Sequence, residues 1–264
     1  EPRHDISLLK VAYDGGINFF DTADLYNLGQ NEILLGKAGR QIGRERMIIA
    51  SKVGNEWSAD GSWVWNPDPA YIKKAVENSL KRLATDYIDL YQLHGGTIED
   101  PIDDIIATFE KLKKAGKIRS YGISSIRPNV IRKWVSSSDM DSIMMQYSLL
   151  DTRPEETALD LIKNNSLTLL ARGALAKGLL VDKKVQEYLE HSKDHVEDLR
   201  DIMDHAAQKN FDLALSWVLN TPAKTTAIVG IRNKQQLNDA LSFQRVETNF
   251  LNQYLEKIKY TQHR

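Results

Sequence analysis

INFFDTADLY, residues 17–26, is the stretch on which the reading of this chain turns. Ile17, Phe19 and Phe20 make a short apolar run that reads as a strand. Gly15 and Gly16 stop the helix before it. The run ends at Asp21, and Tyr26 follows on what should be a loop. A carboxylate at the C-terminal end of a strand, followed by a loop tyrosine, places an acid and a phenol over one pocket. The plainer alternative makes Asp21 a helix cap and Tyr26 a packing residue.

Outward from this stretch the chain alternates short apolar strands with amphipathic helices. Residues 5–13 read as a helix bearing Ile6, Leu9, Ala12 and Tyr13, and residues 31–40 as a second with Ile33, Leu34 and Leu35 as its apolar part. MIIASKV, 47–53, is a buried strand ending on Ser51 and Lys52; a long loop with Trp57, Trp63 and Trp65 and no clear periodicity follows it. Asp68-Pro69 and Asp100-Pro101 are helix-start signals. The first opens a helix with Ile72, Val76, Leu80 and Leu83 buried. The second opens one with Ile102, Ile105, Ile106, Phe109 and Leu112 buried, ended by Gly116. YIDLYQLH, 87–94, is a strand ending on His94. SYGISS (120–125), SIMMQYS (142–148), LTLLARG (167–173) and TAIVGI (226–231) are the later strands. Val130, Ile131 and Trp134 mark the helix after Arg127-Pro128, and residues 154–164 are helical. Residues 183–209 read as one charged helix with Val196, Leu199, Ile202 and Met203 as its stripe, and 211–219 as an apolar helix.

This alternation predicts parallel sheet built from βαβ units, and hence a (β/α)8 TIM barrel in a single domain, residues 1–264. Seven strands are counted, one short of closure. The missing first strand is expected before Glu1, and further residues are expected to be missing around Val181 to Val196.

The 264 residues are 42% hydrophobic and 27% charged, ordinary for a globular protein. The net charge of −1 offers no broad footprint for nucleic acid or an anionic membrane. The lack of cysteine excludes disulfides, thiolate chemistry and cysteine-ligated metals. No apolar run has the length of a membrane span, and no signal peptide is visible, so the expected location is cytoplasmic.

In a barrel of this kind the active site lies at the C-terminal strand ends. Those ends carry Asp21 with Tyr26, then Lys52, then His94, all polar where the strand interiors are apolar. The set suits proton donation coupled to hydride transfer. A carbonyl carbon accepting hydride develops an alkoxide, which needs a proton and positive electrostatics. A free tyrosine has a pKa near ~10, and an adjacent ammonium such as Lys52 would lower it. Asp21 would hold Lys52 charged, and His94 would hydrogen-bond the substrate oxygen as neutral imidazole. A barrel aldolase with Lys52 as Schiff base is the rival, but it needs a neutral amine, which a neighbouring carboxylate opposes. Trp57, Trp63, Trp65 and Tyr147 read as an apolar pocket lining or as loop packing.

The motifs GINFFDTADLY, ASKVG, TDYIDLYQLH, GKIRSYGISS, MMQYS and ARGALAKGLL, spread over nearly the whole chain, resemble the aldo-keto reductase family, closest to its bacterial general-reductase branch. The resemblance implies NADPH-dependent reduction of a small-molecule aldehyde or ketone, with Asp21, Tyr26, Lys52 and His94 catalytic, Tyr26 as the acid, and no metal. It implies the nicotinamide near Ser124, Ser125 and Gln146, with Arg172 where many members stack an aromatic ring. It implies the diphosphate along the loop of Gly173, Leu175, Lys177 and Gly178. The adenosine end would lie against Gly230 to Ala240, with Arg232 and Gln236 at the 2′-phosphate and adenine. Ser125 and Ala240 stand where many members carry asparagine. Some members are instead NADPH-binding regulatory subunits, a second function that the resemblance leaves open.

Overall fold

The computed structural model describes residues 6–58 and 60–255. Asp5, expected to open the first helix, lies outside them. The contacts divide the chain into two compact units, Glu1–Ser142 with Arg232–Leu241 and Ile143–Ile231 with Ser242–Arg264.

In the first unit the order is α1 (Ile6–Asp14), β1 (Phe19–Asp21), α2 (Gln30–Ile42), β2 (Ile48–Val53), β3 (Asn55–Trp57), β4 (Trp63–Trp65), α3 (Pro69–Leu83), β5 (Ile88–Leu93), α4 (Ile102–Lys114), β6 (Ile118–Ser124) and α5 (Pro128–Ser137). Strands β1, β2, β5 and β6 are neighbours in that order, each pair parallel. All six residues of β5 are buried, as a strand covered on both faces requires. The helical stripes expected from sequence on α3, α4 and α5 are buried without exception. Asp68 caps α3 as its signal predicts, accepting from the Ala70 and Tyr71 amides at 2.7 and 3.2 Å.

Three local expectations fail here for identifiable reasons. Asp100 does not cap α4, which starts after Pro101. Its carboxylate is drawn back to the Thr97 amide at 2.6 Å and the Trp65 indole at 3.0 Å. The loop after β2 contains an antiparallel ribbon, β3 with β4, too short to show a period. On α2 the buried face is Glu32, Leu35, Gly36, Ala38 and Gly39, while Ile33 and Leu34 are only half-buried. A carboxylate and two glycines face inward because α2 lies tight against α3. A Cβ on Gly36 would come within 2.6 Å of the Leu83 carbonyl oxygen.

The second unit contains β7 (Ser142–Gln146) apart from its first residue, α6 (Pro154–Asn164), β8 (Thr168–Arg172), α7 (Lys193–Asp204), α8 (Asn210–Leu219) and β9 (Lys224–Ile228). Strands β7, β8 and β9 are neighbours in that order, with β8 and β9 parallel from Thr168↔Lys224 to Arg172↔Ile228. The last strand thus ends at Ile228, and Gly230 and Ile231 lie beyond it, where the sequence reading extended it to 231. The charged stretch 183–209 is not one helix. Tyr188 and His191 are buried and bridge each other across a tight turn with Leu189 left-handed, and Ser192 then caps α7. Val196, Leu199 and Met203 form its buried stripe as expected, while Ile202, expected with them, is only half-buried. No helix among the described residues is long and apolar enough to cross a membrane.

Gly36→Ala should cost about 1–3 kcal/mol, because backbone rather than a movable side chain occupies the space. Denaturant unfolding should show a lower midpoint with an unchanged slope.

Candidate active site

β1 and β2 run in register, with Asp21 opposite Ala50. The pairing continues past the end of β1 through Thr22 N–H to the Ala50 carbonyl at 2.8 Å and Asp24 N–H to the Lys52 carbonyl at 3.3 Å. These bonds bring the loop of Tyr26 over Lys52. The Tyr26 amide donates to the Ala23 carbonyl, and Asn27, Leu28 and Gly29 follow in left-handed conformation. Two of those three carry a Cβ, so the turn is strained for the sequence it holds. The turn leaves the Tyr26 ring 39% exposed.

Lys52 is fully buried. Its ammonium donates to both oxygens of Asp21 at 2.6 Å and to the Thr22 carbonyl at 2.8 Å. The nitrogen lies 5.1 Å from the centre of the Tyr26 ring, and His94 meets that ring edge-on with centroids 5.9 Å apart. His94 follows β5 directly. Its amide donates to the Val53 carbonyl at 2.7 Å, and its carbonyl accepts from Asn55 at 3.1 Å. The structure therefore brings Asp21, Tyr26, Lys52 and His94 into one cluster.

Beneath the cluster lies a polar layer absent from the sequence reading. Glu32, fully buried, accepts from Ser51 at 2.5 Å and from Arg82 at 2.6 Å, and Arg82 also reaches Ser79. Asp24 adjoins this layer. Burial, then the like charge of Glu32, pushes its carboxyl up to about 7, against the pull of Arg82, the Leu25 amide and Lys52. Thr22 and Asn55 were also unmarked in sequence. Thr22 acts on Lys52 through its backbone carbonyl, which carries no residue signature.

Of the residues expected at a cofactor, Ser124 ends β6, with Ser125 next to it, both buried. In the second unit Gln146 ends β7 and Arg172 ends β8, both half-buried. The loop from Gly173 to Gly178, with Leu175 and Lys177, has Ala176, Lys177 and Gly178 all left-handed. Gly230 is exposed two residues past β9. Arg232, back in the first unit, is exposed, and its amide donates to the Gln236 side chain at 2.8 Å. The tryptophans do not act as a set. Trp65 packs on Gly54 and Gly95 and bonds Asp100, whereas Trp57 and Trp63 are exposed. Tyr147 is a buried packing residue, bonded to Glu155 at 2.8 Å and 4.9 Å from the Trp217 ring.

Parallel strands thus gather a clasped lysine, a tyrosine and a histidine at their C-terminal ends. The Aldo/keto reductase family profile matches residues 1–258, and the chain belongs to that family. It is 47% identical over 252 residues to the oxidoreductase YqkF of Bacillus subtilis, covering 90% of this chain and 81% of that protein. The holo form of the aldo-keto reductase AKR11C1 from Bacillus halodurans superposes with a TM-score of 0.89 at 42% identity, over 96% of this chain and 88% of that one. An aldo/keto reductase from Klebsiella pneumoniae in complex with NADP and acetate superposes at 0.74 with 25% identity, over 96% and 84%. An NADH-specific methylglyoxal reductase of Escherichia coli is 32% identical over 70% of this chain and 60% of its own length. The fold is the (β/α)8 barrel of these structures, as the strand–helix alternation predicts.

Asp24→Asn should stabilise the protein on the alkaline side. A folded carboxyl raised to about 7 holds a proton that the unfolded chain, near 3.8, has already released. Its favourable contribution is whole below pH ~4 and is lost as pH rises through about 7. The variant should gain on the order of 1–3 kcal/mol over the parent at pH 8 and nothing at pH 4, read from unfolding at both values.

Proposed function

We propose that this protein reduces a small aldehyde or ketone to the alcohol with NADPH as hydride donor, and that residues 1–264 act as one barrel domain. The observation that carries the reading is the buried Lys52 ammonium, clasped by Asp21 beneath the Tyr26 ring. A carboxylate at 2.6 Å keeps the amine charged, which weighs against a Schiff-base lysine.

Tyr26 is the proton donor in this reading. The ammonium near its ring favours phenolate over phenol and so makes the proton easier to give up. Asp21 and Thr22 hold the ammonium so that it can neither turn away nor lose its charge. His94, pinned at both backbone groups, presents its ring beside Tyr26, where it would hydrogen-bond the carbonyl oxygen and orient it for protonation.

The chain's residues fit a nicotinamide dinucleotide phosphate. Ser124, Ser125 and Gln146 offer polar groups at strand ends for the amide, and Arg172 ends its own strand. The left-handed run Ala176 to Gly178 follows Gly173 and Leu175 in a strained loop of the kind found at ligand clamps, and Lys177 adds a cation. Gly230 leaves room for close approach. Arg232 makes no ion pair among the described residues, and its guanidinium suits a 2′-phosphate, with Gln236 at the adenine. Bound there, the dinucleotide supplies the hydride; the residues above bind and orient it.

Tyr26→Phe should keep the fold and NADPH binding while kcat for carbonyl reduction falls roughly 10²–10⁴-fold. Raising substrate should not restore it, because the proton is delivered in the transition state. Lys52→Met should be comparably damaging. NADPH oxidation against a panel of small aldehydes and ketones checks both. A parent that binds NADPH yet reduces none of the panel would favour an NADPH-binding regulator.

Arg232→Ala should weaken NADPH binding by about 1.5–3 kcal/mol and leave NADH binding nearly unchanged. Titration of both cofactors measures this, and equal losses would count against the 2′-phosphate role.

A further inference from the structure

Asp24 is a carboxylate for which the reaction above has no use. It lies in the turn between Asp21 and Tyr26, with its amide on the Lys52 carbonyl at 3.3 Å. It is 9% exposed, and its Oδ1 is buried with no hydrogen-bond partner among the described residues. A buried acceptor without a partner costs stability, and an apolar residue would fill the place more cheaply.

The ionisable groups around it come from every neighbouring element. Glu32 faces it from α2, Arg82 and Tyr71 from α3, Lys52 from β2 and Tyr91 from β5. Arg82 and Glu32 are bonded to each other and act on Asp24 in opposite senses, the like charge of Glu32 being the stronger. Tyr71 and Tyr91 are held neutral, since burial, and next to it the Asp24 charge, raises both phenols above their ordinary range. Lys52, clasped by Asp21, acts on Asp24 as well, more weakly than Glu32 or Arg82, and the coupling is reciprocal. A change of charge on Asp24 is therefore felt at the ammonium that acts on Tyr26. With its carboxyl pushed up to about 7, that change falls in the working range of an enzyme.

We propose that Asp24 is a positioning residue that acts through Lys52: as an anion it offsets the ammonium and keeps the Tyr26 phenol protonated for donation, and as a neutral acid it lets the ammonium act in full. Asp24 gives no proton to substrate. On the alkaline side, where a phenol activated by Lys52 starts to lose its proton, the Asp24 charge pulls the other way and extends the range of a competent donor. On the acid side the restraint is lifted, when the phenol is in no danger of ionising. The inference rests on the reading of Tyr26 as proton donor.

Two measurements on the parent and Asp24→Asn test it. In protein labelled with carbon-13 tyrosine, the Tyr26 signal is assigned by its loss in Tyr26→Phe, and its titration is followed by NMR. The midpoint should fall by roughly half a unit in Asp24→Asn, less than the 1–3 units of a direct charge partner. The alkaline limb of carbonyl reduction and the rising limb of alcohol oxidation should move down in pH by the same amount, which loss of a merely structural residue would not produce. An unchanged or raised Tyr26 midpoint overturns the proposal, as does a Tyr26 that keeps its proton throughout the range in both proteins. Asp24→Ser gives the same comparison if the asparagine variant does not fold; failure of both to fold makes Asp24 structural and overturns it. A shifted midpoint in a protein that reduces no carbonyl supports the coupling and sinks the enzymatic reading. Carbonyl reduction with an unshifted midpoint does the reverse.

Discussion

The ammonium of Lys52 sits where no water reaches it, and such a charge persists only if protein groups take over its hydration. Three oxygens do so: both of Asp21 and the carbonyl of Thr22. Two come from the last residue of β1 and one from the residue after it, so the ion pair and the register of β1 on β2 are one constraint. A slip of one residue would turn Asp21 to the other face and strand the cation. The bonds from Thr22 and Asp24 back to β2 extend the ladder to Tyr26, placing its ring by backbone geometry, with the left-handed turn beyond it closing the loop.

The same demand for compensation shapes the layer below. Glu32 is buried on α2 only because Ser51 and Arg82 satisfy it. That triangle ties α2, β2 and α3 together close to the site. It also explains the glycine at 36, since helices joined by a short charged contact approach too closely for a side chain there. Asp24 stands at the edge of this layer with its charge incompletely matched, so it is the group there whose protonation answers to pH near neutrality.

The second unit is built differently around its strand ends. Its loop from Gly173 to Gly178 places Ala176 and Lys177 in left-handed conformation, where a side chain is unfavourable. Strain of this kind persists when surrounding structure enforces it, and Ala176 is fully buried. Farther on, the turn of Tyr188 and His191 breaks a stretch whose composition alone favours helix. The buried His191 ring rests on the Leu150 carbonyl at 3.1 Å, so tertiary contact overrides local propensity.

The sequence by itself determined the periodic and punctuated parts of this protein. Apolar runs of strand length, stripes at helical spacing on α3, α4 and α5, and the Asp68-Pro69 start each encode their structure within a few residues, and so they were legible. The order Asp21, Tyr26, Lys52, His94 at successive strand ends was legible for the same reason, since a parallel strand announces its own C-terminal end. Only the tertiary structure decided which polar residues turn inward and what they meet. Glu32 among Ile33 and Leu34, Asp24 within the turn, and Asp100 drawn to Trp65 instead of a helix end all depend on partners dozens of residues away. Burial of a charge is a property of the neighbours that compensate it, and those neighbours are assembled by the fold.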